Sequence, residues 1–71
     1  MSIDVFINDE HSFSYSADAM PRIGEELDIN TWFFSTGKLV GIYKVVNVVQ
    51  RISGYEADCV YSQVYLEEAT E

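Results

Sequence analysis

The chain has 71 residues, 48% apolar and 14% aromatic, with a formal charge of −8 and a pI near 4.2. That length allows one small domain, and the apolar content excludes a disordered chain. The charge disfavours direct binding to nucleic acid or to an anionic membrane, and no apolar run approaches the roughly 20 residues of a membrane-spanning helix.

A two-residue periodicity runs through the chain, and β-branched and aromatic residues are plentiful. Ile3, Val5 and Ile7 alternate with Asp4, Phe6 and Asn8, predicting a first strand with one buried face. Asn8-Asp9-Glu10-His11 is a polar turn, and Phe13 and Tyr15 alternate with serines in the second arm of a hairpin. Residues 17 to 24 break the pattern. Ala17 to Met20 has room for one helical turn at most, Pro21 holds Met20 extended, and Gly24 permits a bend. Leu27 and Ile29 mark a third strand that runs into Trp32-Phe33-Phe34, where alternation sends either Phe33 or the pair Trp32 and Phe34 away from the core.

Ser35-Thr36-Gly37-Lys38 reads as a turn, and the longest strand signal covers residues 39 to 52. Around Asn47 the apolar spacing shifts from two to three, which predicts a β-bulge that bends the strand and changes the face it presents. Ser53 to Glu56 is a further turn. The last strand spans about 58 to 66, with Val60, Val64 and Leu66 on one face and Cys59, Tyr61, Gln63 and Tyr65 on the other. Residues 67 to 71 are expected to form a frayed acidic tail. The expected fold is all-β: a single domain over residues 1–71, built as a small five-stranded antiparallel SH3-like barrel or a strongly curved sheet.

Chemistry-bearing motifs are sparse. Cys59 has no cysteine partner and there is no Cys/His cluster, so no disulfide and no zinc site are expected, and an intracellular, cytoplasmic setting fits. The start, Met1 to Val5, lacks the basic and apolar segments of a secretion signal. Asp9-Glu10-His11 reads as a solvated turn, since three consecutive residues rarely converge on one metal. A nucleophilic centre would have to pair Cys59 with His11, the only histidine. Ser35 to Lys38 ends like a phosphate-binding loop but lacks its earlier glycine and the helix that should follow. Glu25 and Glu26 are adjacent, so in a strand they point to opposite faces and make a poor acid–base pair. No catalytic residue, metal or cofactor is expected.

Met20-Pro21-Arg22-Ile23-Gly24-Glu25-Glu26-Leu27, followed by Tyr43-Lys44-Val45-Val46-Asn47-Val48-Val49, resembles a pattern in small uncharacterised bacterial and phage proteins. There a Pro-x-x-Gly-acid loop leads into one strand and a Tyr-x-Val-x-x-Val strand follows. Those proteins are similar in outline to SH3-like barrels. The likeness covers about a third of the chain, and this chain inserts Trp32-Phe33-Phe34 between the two halves. The resemblance implies a barrel with neighbouring terminal strands and carries no activity of its own.

Neighbouring termini would matter for the charge. Residues 1–30 hold seven acids against Arg22, residues 31–55 hold Lys38, Lys44 and Arg51 with no acid, and residues 56–71 hold five acids and no base. Barrel topology would gather the acids on one side and the bases on another. The expected function is non-catalytic: an acidic protein that occupies a basic, nucleic-acid-binding surface of a larger protein, as a phage anti-defence inhibitor of the anti-CRISPR kind would. The expected contacts are Asp4, Asp9, Glu10, Glu25, Glu26, Asp28, Glu67 and Glu68, with Trp32, Tyr61 and Tyr65 as aromatic anchors. The partner would be a protein with a basic or apolar surface. The alternative is a structural or assembly subunit of a phage or bacterial complex, binding through its aromatic patches, in which a homodimer is one arrangement.

Overall fold

The computed structural model describes residues 1–33 and 37–69. Strand β1 (Ser2–Ile7) pairs antiparallel with β2 (Glu10–Ser16). Their two-residue turn holds Asn8 and Asp9 at φ 52° and 66°. Both residues tolerate the left-handed region, as a tight hairpin turn requires. Strands β3 (Glu26–Phe33) and β4 (Gly37–Ser53) form a second antiparallel hairpin, and β4 continues through a 3₁₀ turn at Tyr55–Ala57 into β5 (Cys59–Glu68). Among the described residues the one helical turn therefore lies here, and Ala17 to Met20 holds none.

The sheet order is β2-β1-β5-β4-β3. The first and last strands are neighbours, as barrel topology requires, but they run parallel. This corrects the expected antiparallel arrangement: three ladders are antiparallel and one is parallel. The reason lies in the connection. The chain leaves β1 through β2 and reaches β5 only after the whole β3–β4 hairpin, long enough to return it in the original direction. The sheet curls into a half-barrel. Its edges, β2 and β3, share no ladder among the described residues, although Phe13 and Phe33 reach across with ring centroids 5.6 Å apart.

The concave side carries the core. Ile3, Val5, Ile29, Tyr43, Val45, Val64 and Leu66 are buried there, with Phe13, Tyr15, Met20 and Leu27 packed around them. Each fully buried aliphatic side chain contributes on the order of 1.5–3 kcal/mol. Gly41 stands opposite Ile29 with φ +154°, and a Cβ there would meet the Tyr43 ring at 3.3 Å. The missing side chain lets the Tyr43 ring lie along its own strand and cover the gap.

The bulge falls where the spacing predicts it, with the β4–β5 register shifting between Val45 and Asn47. The Asn47 side chain accepts a hydrogen bond from the Val48 amide at 2.9 Å. Before the bulge Tyr43 and Val45 face inward; beyond it Val48 pairs with the buried Val64. The break at residues 17–25 docks back on β4 through Gly24 N–H to Val45 C=O and Val45 N–H to Glu25 C=O, both 2.9 Å. The expected frayed tail is corrected in part. Glu67 and Glu68 are strand residues paired with Lys44 and Tyr43, and Ala69 N–H still donates to Ile42 C=O at 3.1 Å. Thr70 and Glu71 lie outside the described residues, as do Phe34, Ser35 and Thr36.

Candidate binding surface

Alternation sends Asp4 and Phe6 of β1 outward, and the two ladders of that strand decide what stands beside them. Asp4 lies between Ser14 and Gln63, and Phe6 between His11 and Tyr65. Phe6 stacks on Tyr65 with centroids 4.9 Å apart and planes 20° apart, while His11 meets its other side edge-on at 5.4 Å. Beside this ladder the Ser14 hydroxyl donates to Asp4 Oδ1 at 2.6 Å, and His11 Nε2 lies 3.8 Å from the same oxygen. One row further, Arg51 Nε donates to Gln63 Oε1 at 3.1 Å, and Arg51 pairs with Tyr61. The convex face of β2-β1-β5 thus joins a stacked Phe6–Tyr65 pair with an imidazole edge-on to it, a hydrogen-bonded carboxylate and an exposed tyrosine.

Asp4, His11 and Ser14 are the residue types of a hydrolytic triad in the wrong order. The carboxylate is the hub, and the serine proton points at Asp4 rather than at the imidazole. A triad needs the imidazole between the two to take the serine proton. Cys59 cannot pair with His11. The imidazole sits in the Tyr65 row, six residues along β5 from Cys59, or about 20 Å at ~3.3 Å per residue. Among the described residues no three His, Cys, Asp or Glu side chains are placed to hold a metal ion. Of the loop-like motif, Gly37 and Lys38 open a strand, where a phosphate-binding loop needs a helix.

The predicted contact residues divide into groups. Asp4, Tyr61, Tyr65 and Glu67 share the convex face of β1 and β5. Glu26, Asp28 and Trp32 occupy the outward positions of β3, on the far side of β4. Asp9 forms the hairpin turn and Glu10 opens β2. Glu25 lies in the loop before β3, where its Oε1 accepts the Arg22 amide at 3.1 Å. Glu68 pairs with Tyr43, on the other face from Glu67. Trp32 is 69% exposed and Tyr61 51%, while Tyr65 is half-buried in its stack.

The expected separation of acids from bases does not occur. β4 lies between two acid-bearing strands, so Lys44 stands between Glu67 on β5 and Glu26 on β3. Lys38 faces Trp32 and Arg51 faces Tyr61, all on the convex side. Lys44 has no carboxylate within ion-pairing distance among the described residues. His11, Ser14, Gln63 and Arg51 belong to the surface without having been predicted for it. Ser14, Gln63 and Arg51 are outward positions whose neighbours only strand order reveals, whereas His11 shares the parity of inward Phe13 and Tyr15 and turns outward because the β1–β2 register shifts at Val5/Phe6. Comparison with protein-family models, curated proteins and solved structures finds no match.

Proposed function

We propose that the protein is a non-catalytic binding protein that occupies a basic, nucleic-acid-binding surface of a larger protein through the convex face of β2-β1-β5. The observation that carries this reading is the stacked Phe6–Tyr65 pair, with His11 edge-on to Phe6 and Asp4 beside it. Rigid aromatic anchors next to carboxylates suit Arg and Lys, which stack on rings and pair with anions. The formal charge of −8 adds long-range attraction to a basic target. Its concrete form is a phage-encoded anti-defence inhibitor of the anti-CRISPR kind, which the small size and the acidity fit. The test is a pull-down from the native host, followed by affinity measurements on the captured protein at rising salt. Affinity should fall with salt and with Asp4→Asn or Tyr65→Ala. Salt-independent affinity, or binding untouched by both substitutions, overturns the reading.

A second reading, an assembly subunit binding through aromatic patches, is favoured by Trp32, which is 69% exposed on an edge strand. Sedimentation decides it: a salt-insensitive homo-oligomer that Trp32→Ala dissociates supports assembly, and a monomer across concentrations rejects a self-assembling form.

A further inference from the structure

β2 and β3 end the sheet, so each presents a row of backbone N–H and C=O groups without a neighbouring strand. Proteins blunt such edges with bulges, proline or charged side chains, lysine above all. β2 carries a bulge where its register with β1 shifts at Val5/Phe6, whereas Glu26–Phe33 of β3 has neither register shift, lysine nor proline, and its charges are Glu26 and Asp28. Between the edges runs a groove of about 430 Å³, floored by Phe13, Tyr15, Leu27, Ile29 and Phe33 and rimmed by Glu26 and Asp28.

The outward row of β3 reads Glu26, Asp28, Asn30, Trp32: two carboxylates, an amide and an indole that is 69% exposed. Successive members stand about 6.6–6.8 Å apart, the two-residue repeat of any strand laid beside them. Lys44 neighbours Glu26 on the β4 side without forming an ion pair, and Asp28 faces Ile42. Both carboxylates therefore remain available on the free side of the edge. A second copy of this chain, paired edge to edge in the register that sets Glu26 against Asp28, would bring carboxylates together, and like charges across a ladder are destabilising.

We infer that the edge of β3 receives an extended segment of a partner protein in which Lys or Arg alternates with apolar residues, adding as a sixth strand across the opening of the half-barrel. Its backbone bonds to β3, its basic side chains meet Glu26 and Asp28 and stack on Trp32, and its apolar side chains lie over Phe13 and Phe33. This surface differs from the convex ladder, so either reading can fail alone.

The experiment titrates the full chain with three eight-residue peptides: alternating Lys-Val, the same composition in Lys and Val blocks, and alternating Glu-Val. Calorimetry reads affinity and amide hydrogen exchange reads position. The Lys-Val peptide should bind and slow exchange along β3, and the other two should bind at least about tenfold more weakly. Glu26→Gln with Asp28→Asn, both exposed and isosteric, should weaken it by about tenfold. A single backbone N-methyl group on the β3-facing side of the peptide should abolish it with the protein unaltered. Equal binding of the block peptide, protection confined to the β1–β5 face, or indifference to N-methylation overturns the inference.

Discussion

Val64 and Val60 are the same residue type on the same face of β5, yet Val64 is fully buried and Val60 is 55% exposed. β4 shows the same contrast, with Val45 fully buried and Ile52 63% exposed. At Val64 and Val45 the β4–β5 ladder has neighbours, because Val5 of β1 pairs with Val64 and β3 begins beside Lys44. Past Ser62, the partner of Ile3, β1 has one residue left, and the hairpin continues as a two-stranded ribbon ending at Tyr55. Such a ribbon has no opposing layer to bury an apolar face. Alternation assigns a face; the neighbouring strand decides whether that face is dry.

The largest expected effect tests this contrast directly. Leu66→Ala in the centre should cost about 2–5 kcal/mol, enough to unfold much of a small domain. Val60→Thr or Ile52→Thr at the ribbon end should change stability by no more than about 0.5 kcal/mol. Chemical denaturation read by Trp32 fluorescence compares them. Equal losses would mean that something covers the ribbon in solution.

A backbone substitution sharpens the same comparison. Gly54 turns the ribbon at φ +87°, and a Cβ there would collide with Asp58 Oδ1. Gly54→Ala should therefore cost about 1–3 kcal/mol although it lies in the exposed end. The ribbon would then be sensitive to how its backbone turns and insensitive to how apolar its sides are. A loss below that of Val60→Thr would contradict this.

Much of the local structure was legible from the residues. Period-two alternation placed β1 and β2 and turned Phe6 outward, and the three-residue shift at Asn47 marked the bulge. Those signals are local, because side chains on adjacent pleats carry them. Strand order was legible only in part. The resemblance implied that the terminal strands meet, but their parallel sense joins residues some sixty positions apart and leaves no local mark. The charge arrangement failed for the same reason. A block of bases along the chain became one strand, with Lys44 between Glu26 and Glu67, Lys38 opposite Trp32 and Arg51 opposite Tyr61. Three runs of charge in sequence became an interleaved face in space. Trp32 illustrates both limits: alternation showed that it and Phe33 must part, and only the fold showed that Phe33 takes the groove.

The smallest effect concerns a tyrosine at the rim of the buried centre, against one at the ribbon tip. Tyr15 packs on the core from β2, and its phenol is held above the usual value of about 10, first by burial and second by the charge of Glu25. The neutral phenol is therefore favoured in the folded state relative to the unfolded one. Its contribution to stability is complete below the unfolded value near 10 and is lost as pH rises from there through the higher folded value. Thermal melts of wild type should decline over that alkaline range more steeply than those of Tyr15→Phe, which has no proton to lose. Glu25→Gln should flatten the decline by a smaller amount, because it removes the lesser of the two causes. Tyr55→Phe, at a position 84% exposed on the tip, controls for loss of a phenol as such. If Tyr15→Phe declines in parallel with wild type, the rim is wetter than its packing implies and the boundary between dry centre and open ribbon lies further inside the sheet.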